Sequence, residues 1–156
     1  MRRIKKEIRD NKRIGDLLDT CHVGRLGTIG NDGYPRIKPL NFVYLNGIIY
    51  FHSAREGEKI DDISRDNRVV FEVDEPAGYV KSSISPCSAK YLYRSVIVRG
   101  KAVIVENDRE KLLALQSLME KYQPEGGYGE FQPEKLEIIA VVRIDIEEIT
   151  GKEDAG

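Results

Sequence analysis

The fold is decided by residues 22–53, which read HVGRLGTIGNDGYPRIKPLNFVYLNGIIYFHS. Two turn signals divide this stretch, Asp-Gly at positions 32–33 and Asn-Gly at 46–47, and both pairs tolerate the positive φ angles of tight hairpin turns. The segments around these turns are predicted to be strands, and they comprise residues 22–29, 35–45 and 48–53. Three strands joined by two tight turns predict an antiparallel meander.

Three later segments complete the predicted sheet, and they are residues 68–73, 91–105 and 136–149. The last of them alternates apolar and polar side chains, so one of its faces is expected to be buried. Gly100 is expected to mark a bulge where the sheet curls. Six strands linked mainly by hairpins favour a mainly β fold, an antiparallel barrel with a few flanking helices.

Three helices and one long loop are predicted between the strands. The first helix follows a cap at Asp10 or Asn11, the second covers residues 57–66, and the third begins at Asn107. The stretch 74–89 is rich in Ser, Pro and Gly and is predicted to be a loop.

Length and charge limit the organisation and the partners of the chain. The 156 residues are enough for one domain with a core, predicted over residues 1–150 with a tail at 151–156. The 25 basic and 26 acidic residues nearly balance, which argues against nucleic acid as a partner. The sequence lacks the long apolar run of a membrane span, and the basic start at 1–6 is interpreted as a solvated arm rather than a signal. A cytoplasmic protein with no membrane partner is therefore expected.

Cysteine and histidine are scarce. Cys21 and Cys87 are too few for a disulfide scaffold and too far apart for a paired zinc site, so both are expected to be reduced thiols. His22 and His52 are the only histidines, and no metal site is predicted.

The most informative polar segment is HSAREGEKID, residues 52–61, where a predicted strand ends and a short helix begins near Gly57. The free N–H groups and the partial positive charge of a helix start attract phosphate. Lys59 lies in the first turn, where its charge opposes the helix dipole unless an anion lies between them, and Ser53 can add a hydroxyl donor. The alternative is that Lys59 and Arg55 only form ion pairs with neighbouring acidic side chains. Composition does not separate the two interpretations.

The preceding strand offers a second candidate surface. Leu40 and Phe42 are apolar and Asn41 carries an amide, a combination that suits a flat heteroaromatic ring. Leu and Phe in a strand are equally typical of barrel core, and that interpretation stays open. His52 could donate a hydrogen bond or a proton to a ring edge near neutral pH, although a lone histidine is more often a surface or core residue.

Six segments taken in order carry a family resemblance, and they are CHVGRLGT (21–28), GYP (33–35), PLNFVY (39–44), FHSAREGEKI (51–60), YRSVIVRG (93–100) and RIDIEEITGK (143–152). Together they resemble the flavin-binding split-barrel superfamily that includes pyridoxamine 5′-phosphate oxidase, and more closely its Nim-type, nitroimidazole-resistance-related branch. The resemblance covers nearly the whole domain.

This resemblance implies a split β-barrel of Greek-key topology and a homodimer with flavin mononucleotide (FMN) between the subunits. The residues that it implies for the cofactor are Leu40, Asn41 and Phe42 at the ring, His52, Ser53 and Ala54 at the ring and ribityl chain, Gly57 and Lys59 at the phosphate, and Tyr93, Arg94 and Ser95 from either subunit.

The implied function is that of a flavoprotein oxidoreductase. It would pass electrons from a reduced nicotinamide donor to a small acceptor such as a nitro compound or a quinone, with His52 as the candidate proton donor. A flavin-binding or sensing protein without turnover is an alternative, and a haem-handling protein is another. Oxidation of pyridoxamine phosphate is not expected, because the last strand ends in Asp145, Glu147 and Glu148, where the oxidases carry basic residues for the substrate phosphate.

Overall fold

The structure, a computed structural model, describes residues 6–155. The strands are β1 (Glu7–Ile8), β2 (Gly24–Ile29), β3 (Pro35–Leu40), β4 (Val43–Leu45), β5 (Ile48–Ala54), β6 (Arg68–Val80), β7 (Lys90–Ile104) and β8 (Ile139–Asp154). The helices are α1 (Asn11–Thr20), α2 (Glu58–Arg65), α3 (Asp108–Tyr122) and α4 (Pro133–Ile138), with a short 3-10 turn at Pro86–Ser88. The basic start predicted as a solvated arm lies, except for Lys6, outside the described residues.

The strands form one antiparallel sheet in the order β3-β2-β6-β7-β8-β5-β4, and β1 pairs with the end of β8. The two open edges, β3 and β4, are consecutive in the chain and are joined only by Asn41 and Phe42. Leu40 and Val43 are therefore three Cα steps apart, which is at most about 11 Å. The sheet curls until its edges approach each other at this short link. The predicted mainly β, antiparallel architecture is confirmed, as a barrel-like sheet that is split between β3 and β4.

The sheet has eight strands where six were expected. The segment 35–45, expected as one strand, divides into β3 and β4, which pair with different neighbours. The division falls at Phe42, whose N–H donates to the Tyr122 hydroxyl at 3.0 Å instead of to a neighbouring strand. The remaining extra strand is β1, a two-residue pairing just before α1.

The expected loop at 74–89 is also partly strand. β6 continues to Val80 and stays paired with β7 as far as Lys90. A register shift between Pro76 and Gly78 interrupts this pairing, and Gly78 has a φ of 125°. Such a bulge lets a segment with proline and glycine remain in an antiparallel pair.

The last strand begins later and ends later than predicted. Leu136, its expected first residue, lies in α4, which Pro133 begins as an N-terminal helix proline. Residues 151–154, expected as a tail, belong to β8 and pair with β7.

The predicted helix starts at Asp10 and Asn107 and the predicted bulge at Gly100 are confirmed. The Asp10 side chain accepts a hydrogen bond from the Lys12 N–H, and Asn107 accepts one from the Glu110 N–H at 3.0 Å. Gly100 lies at a register shift between β7 and β8, where an added Cβ would be 2.3 Å from the Asp145 carbonyl oxygen.

The barrel interior holds the main core. Phe42, Phe51 and Phe71 have no exposed surface, and the rings of Phe42 and Phe71 meet edge to face at 4.8 Å. α1 and α2 pack apolar side chains against this core, whereas α3 covers a second apolar cluster outside it. Within the described residues, each helix is too short or too polar to cross a membrane.

Candidate functional site

The end of β5 and the start of α2 place the predicted polar segment. Residues 49–51 are buried, and the strand then emerges at His52. α2 begins at Glu58 and buries Ile60 and Ile63 in the barrel core. The buried residues on both sides fix the helix start directly after the strand end.

Gly57 leaves the helix start open. It has a φ of 122°, a conformation that favours glycine, and its carbonyl accepts hydrogen bonds from the N–H groups of Ile60 at 2.9 Å and Asp61 at 3.0 Å. In the part of the chain that the structure describes, no side chain caps α2, and a Cβ added at Gly57 would meet no atom within 4 Å. An uncapped helix start that faces open space is suited to bind an anion.

Lys59 supplies a cation in the first turn of α2. It forms no ion pair within residues 6–155, and its Nζ lies 5.4 Å from the centre of the Phe51 ring. Burial lowers the pKa of Lys59, and the positive charge of Lys38 lowers it further. The alternative interpretation, in which Lys59 forms ion pairs with the acidic residues near it in sequence, is therefore not supported by the described residues.

Two further cations reach the same place from β3. The Glu58 carboxylate lies 3.0 Å from Arg36 Nη1 and 2.6 Å from Lys38 Nζ. Sequence reasoning missed both residues. The signal that could have found them is the pattern Arg36-Ile37-Lys38, since alternate residues of a strand share one face.

Asp62 ties α2 to the sheet. It is 1% exposed, accepts a hydrogen bond from the Thr28 hydroxyl at 2.8 Å, and is contacted by Arg65 at 3.0 Å and by Arg36 at 3.3 Å. Burial opposes ionisation of this carboxyl, but the hydrogen bonds from Arg65 and Thr28 outweigh it and hold the pKa of Asp62 below its ordinary value. A charged Asp62 thus keeps the start of α2 next to β2 and β3.

His52 is the titratable group at the end of β5. Partial desolvation lowers the pKa of His52 below its ordinary value, and the charge of Lys59 adds to the effect. The imidazole is consequently neutral at neutral pH, with one N–H donor and one nitrogen acceptor.

The predicted ring-binding residues lie at the link between β3 and β4. Leu40 is half-buried against the core and Asn41 is exposed, with its amide donating to the His22 carbonyl at 3.1 Å. The Phe42 ring is fully buried, and the Tyr122 hydroxyl contacts its N–H and its carbonyl oxygen, each at 3.0 Å. Leu40 and Asn41 thus have surface left for a ligand, while the Phe42 side chain belongs to the core.

The other predicted set, Tyr93, Arg94 and Ser95, lies elsewhere in the sheet. Ser95 pairs with Lys152 near the end of β8, whereas Ser53 pairs with Ala140 near its start. The two pairs are twelve residues apart on β8, or about 40 Å of strand length. Ser53 and Ser95 thus pair with opposite ends of β8.

A groove of about 540 Å³ opens on the outer face of the sheet, between β2, β3, β6, β7 and β8. Its lining includes Ile37, which is 70% exposed, and Val70, which is 44% exposed, beside the charged side chains of Arg25 and Arg99. Sequence reasoning missed this surface, because outward apolar residues in a strand resemble core residues. Exposed apolar side chains grouped in a groove with charged borders make this face a candidate contact surface.

Residues 10–153 match the sequence profile of the pyridoxamine 5′-phosphate oxidase family. No curated protein matches the chain.

Solved structures of similar fold include three with more than a quarter of their residues identical. A candidate 5-nitroimidazole antibiotic resistance protein from Bacteroides thetaiotaomicron is 27% identical with a TM-score of 0.83, over 94% of this chain and 86% of that one. A FAD-binding protein from Mycobacterium smegmatis is 26% identical with a TM-score of 0.63, over 93% of this chain and 97% of that one. A candidate pyridoxamine 5′-phosphate oxidase from Corynebacterium glutamicum is 27% identical with a TM-score of 0.60, over 94% of this chain and 91% of that one.

The profile match extends from the residue before α1 to Glu153, the last residue but one of β8, and so includes every element around the site. The chain belongs to the pyridoxamine 5′-phosphate oxidase family.

Proposed function

We propose that the chain is an FMN-binding oxidoreductase that passes electrons from a reduced nicotinamide donor to a small acceptor such as a nitro compound or a quinone. The observation that carries this proposal is the open, uncapped start of α2 beside Lys59, which forms no ion pair in the described part of the chain. This combination of N–H donors and positive charge is suited to a flavin phosphate. The FAD-binding relative supports the cofactor class, and the candidate nitroimidazole resistance protein supports the acceptor class.

The residues around α2 fit a flavin. Gly57 provides room for a close approach, Lys59 provides the charge, and Ser53 provides a hydroxyl on the preceding strand. Leu40 and Asn41 provide an apolar and an amide group for the ring and its polar edge. The bound flavin supplies hydride and electron transfer, while the chain binds the phosphate, orients the ring and limits access of water.

His52 is the proposed proton donor. Its lowered pKa makes the minor imidazolium form a stronger acid that can give a proton to the reacting atoms, while the major neutral form offers one ring N–H as a hydrogen-bond donor near pH 7. Lys59 nearby disfavours a second proton on the ring.

The proposed homodimer rests on two observations. Tyr93, Arg94 and Ser95 pair with the end of β8 opposite to the end that pairs with Ser53, an arrangement in which a second copy of the chain can supply this set to the flavin. The outer groove with Ile37 and Val70 also leaves an apolar surface that a second copy can cover. Sedimentation of the flavin-loaded protein tests this, and a fully loaded monomer would contradict it.

An absorption spectrum of the purified protein, followed by identification of the ligand released on denaturation, tests the cofactor. Flavin bands with release of FMN support the proposal. Release of FAD would show that the cofactor is FAD rather than FMN. A Soret band would indicate haem instead. A colourless protein that does not bind added FMN would overturn the proposal.

Turnover is tested by oxidation of NADH or NADPH in the presence of a nitroaromatic compound or a quinone. We expect His52→Ala to retain the flavin and to lower turnover about tenfold to a hundredfold, the lower range of general acid catalysis. Unchanged turnover with the flavin bound would exclude His52 as the donor. Tight flavin binding with no reduction by either nucleotide would favour a flavin-binding or sensing protein.

A further inference from the structure

We propose that Glu58 is an internal counter-anion of the phosphate site, and that a flavin phosphate competes with it for Arg36 and Lys38. The inference rests on the proposed function, because it concerns the same site and its affinity. Glu58 is the first residue of α2, and its carboxylate bridges Arg36 Nη1 at 3.0 Å and Lys38 Nζ at 2.6 Å. A carboxylate thus holds two of the cations beside the helix start where an anion is expected.

The cations are more enclosed than the carboxylate that pairs with them. The side chains of Arg36 and Lys38 are 25% and 24% exposed, whereas that of Glu58 is 53% exposed. The Lys38 Nζ is buried and makes no hydrogen bond in the described part of the chain, although it contacts Glu58 and lies 3.9 Å from an Asp62 oxygen. An ammonium group has three donors, so Lys38 has capacity for a further oxygen anion.

The two acidic residues of this cluster differ in their freedom to move. Asp62 is 1% exposed and is held by Thr28 and Arg65, so it stays in place when an anion binds. Glu58 is exposed on the first turn, and among the described residues two ion pairs alone hold its carboxylate. A phosphate that enters between the helix start and the cations therefore displaces Glu58 toward solvent.

Charge gives the direction of the effect. A phosphate group bound by Arg36 and Lys38 brings up to two negative charges next to the carboxylate of Glu58, and these like charges repel. Glu58→Gln removes that repulsion, and we expect it to strengthen FMN binding about fivefold at low ionic strength. Binding of riboflavin, which has no phosphate, should not change.

The test is a titration of the flavin-free protein with FMN and with riboflavin, followed by flavin fluorescence at low ionic strength. The variants are Glu58→Gln and Asp61→Asn. Asp61 is an exposed acidic residue in the same first turn and has no ion pair in the described residues, so it is a matched control for the loss of one charge. We expect the FMN affinity of Asp61→Asn to stay within about twofold of the unmodified protein.

Equal gains in the two variants would overturn the inference, because net charge at the helix start would then be sufficient. An unchanged or weaker FMN affinity in Glu58→Gln would also overturn it, since Glu58 would then position the cations rather than compete with the ligand. Failure of the proposed function differs from both results, because the unmodified protein would then bind FMN no more tightly than riboflavin.

Inorganic phosphate gives a second measurement that does not depend on the flavin ring. Under the inference, phosphate raises the Tm of Glu58→Gln more than that of Asp61→Asn or of the unmodified protein. Equal increases in all three proteins would contradict it.

Discussion

Exchange of Asp62 for asparagine removes the charge at the centre of the contact between α2 and the sheet. Asp62 is 1% exposed, accepts from the Thr28 hydroxyl at 2.8 Å and from Arg65 at 3.0 Å, and lies 3.3 Å from Arg36. Each hydrogen bond to a charged group contributes about 1.5–3 kcal/mol, and an amide oxygen retains part of this. Loss of a buried charged partner typically costs about 3–5 kcal/mol, but both arginines can turn toward water. We expect the free energy of unfolding to fall by about 3 kcal/mol.

Urea unfolding at pH 7, followed by circular dichroism, measures this loss. Asp61→Asn in the same helix is the control, because Asp61 is exposed and lacks an ion pair in the described residues. Its expected effect is within about 0.5 kcal/mol. A loss below about 1 kcal/mol for Asp62→Asn would refute the argument that the buried carboxylate holds α2 in place.

The difference between the unmodified protein and Asp62→Asn should also depend on pH. The pKa of Asp62 is held below its ordinary value in the folded chain. Its charge therefore contributes fully above the pKa of the unfolded state, about 3.9, and the contribution is lost as the pH falls through the folded-state pKa. The difference in unfolding free energy should stay constant from pH 7 to pH 5 and shrink in more acidic solution. An equal difference at pH 7 and at about pH 2 would contradict this assignment.

Two further predictions concern packing and charge. Gly100→Ala should lower the free energy of unfolding by about 3 kcal/mol, because its Cβ would lie 2.3 Å from the Asp145 carbonyl oxygen. Gly15 lies in α1, and a Cβ there would be 3.8 Å from the nearest atom, so Gly15→Ala should raise the free energy of unfolding by about 0.5 kcal/mol in the same urea assay. A Gly100→Ala variant as stable as the unmodified protein would disprove the close approach. Burial lowers the pKa of Lys121 to about 8, below that of an unfolded lysine, so stability should rise as the pH rises from about 8 to about 10. Urea midpoints that rise equally in Lys121→Met would show that another group is responsible.

The local features of the fold were accessible from the sequence. The helix starts at Asp10 and Asn107 each depend on a hydrogen bond between one side chain and a backbone N–H two or three residues further on. Strand ends depend instead on a partner that is distant in the sequence. Residues 74–80 have the composition of a loop, and they are strand because β7 lies beside them.

The residues of the candidate site differ in the same way, because some are close in sequence and others come together only through long-range packing. Ser53, Gly57 and Lys59 are close in sequence, and one strand-to-helix transition brings them together. Arg36 and Lys38 come from a strand some twenty residues earlier, and only the packing of α2 against β3 places them at Glu58. The two interpretations of Phe42 could not be separated without knowing that the chain leaves the ladder there and turns its ring into the core.

The composition of β3 restricts how the molecule can associate. β3 is an open edge of the sheet, and two of its six residues are Pro35 and Pro39, which have no N–H to offer to another strand. The opposite edge, β4, is three residues long. Both edges therefore offer few N–H groups for extending the hydrogen-bonded ladder into a neighbouring molecule, as is typical of edges that disfavour edge-to-edge growth. Contact with another molecule along this side is therefore favoured through side chains packed face to face rather than through backbone pairing, and such a contact can end at two copies.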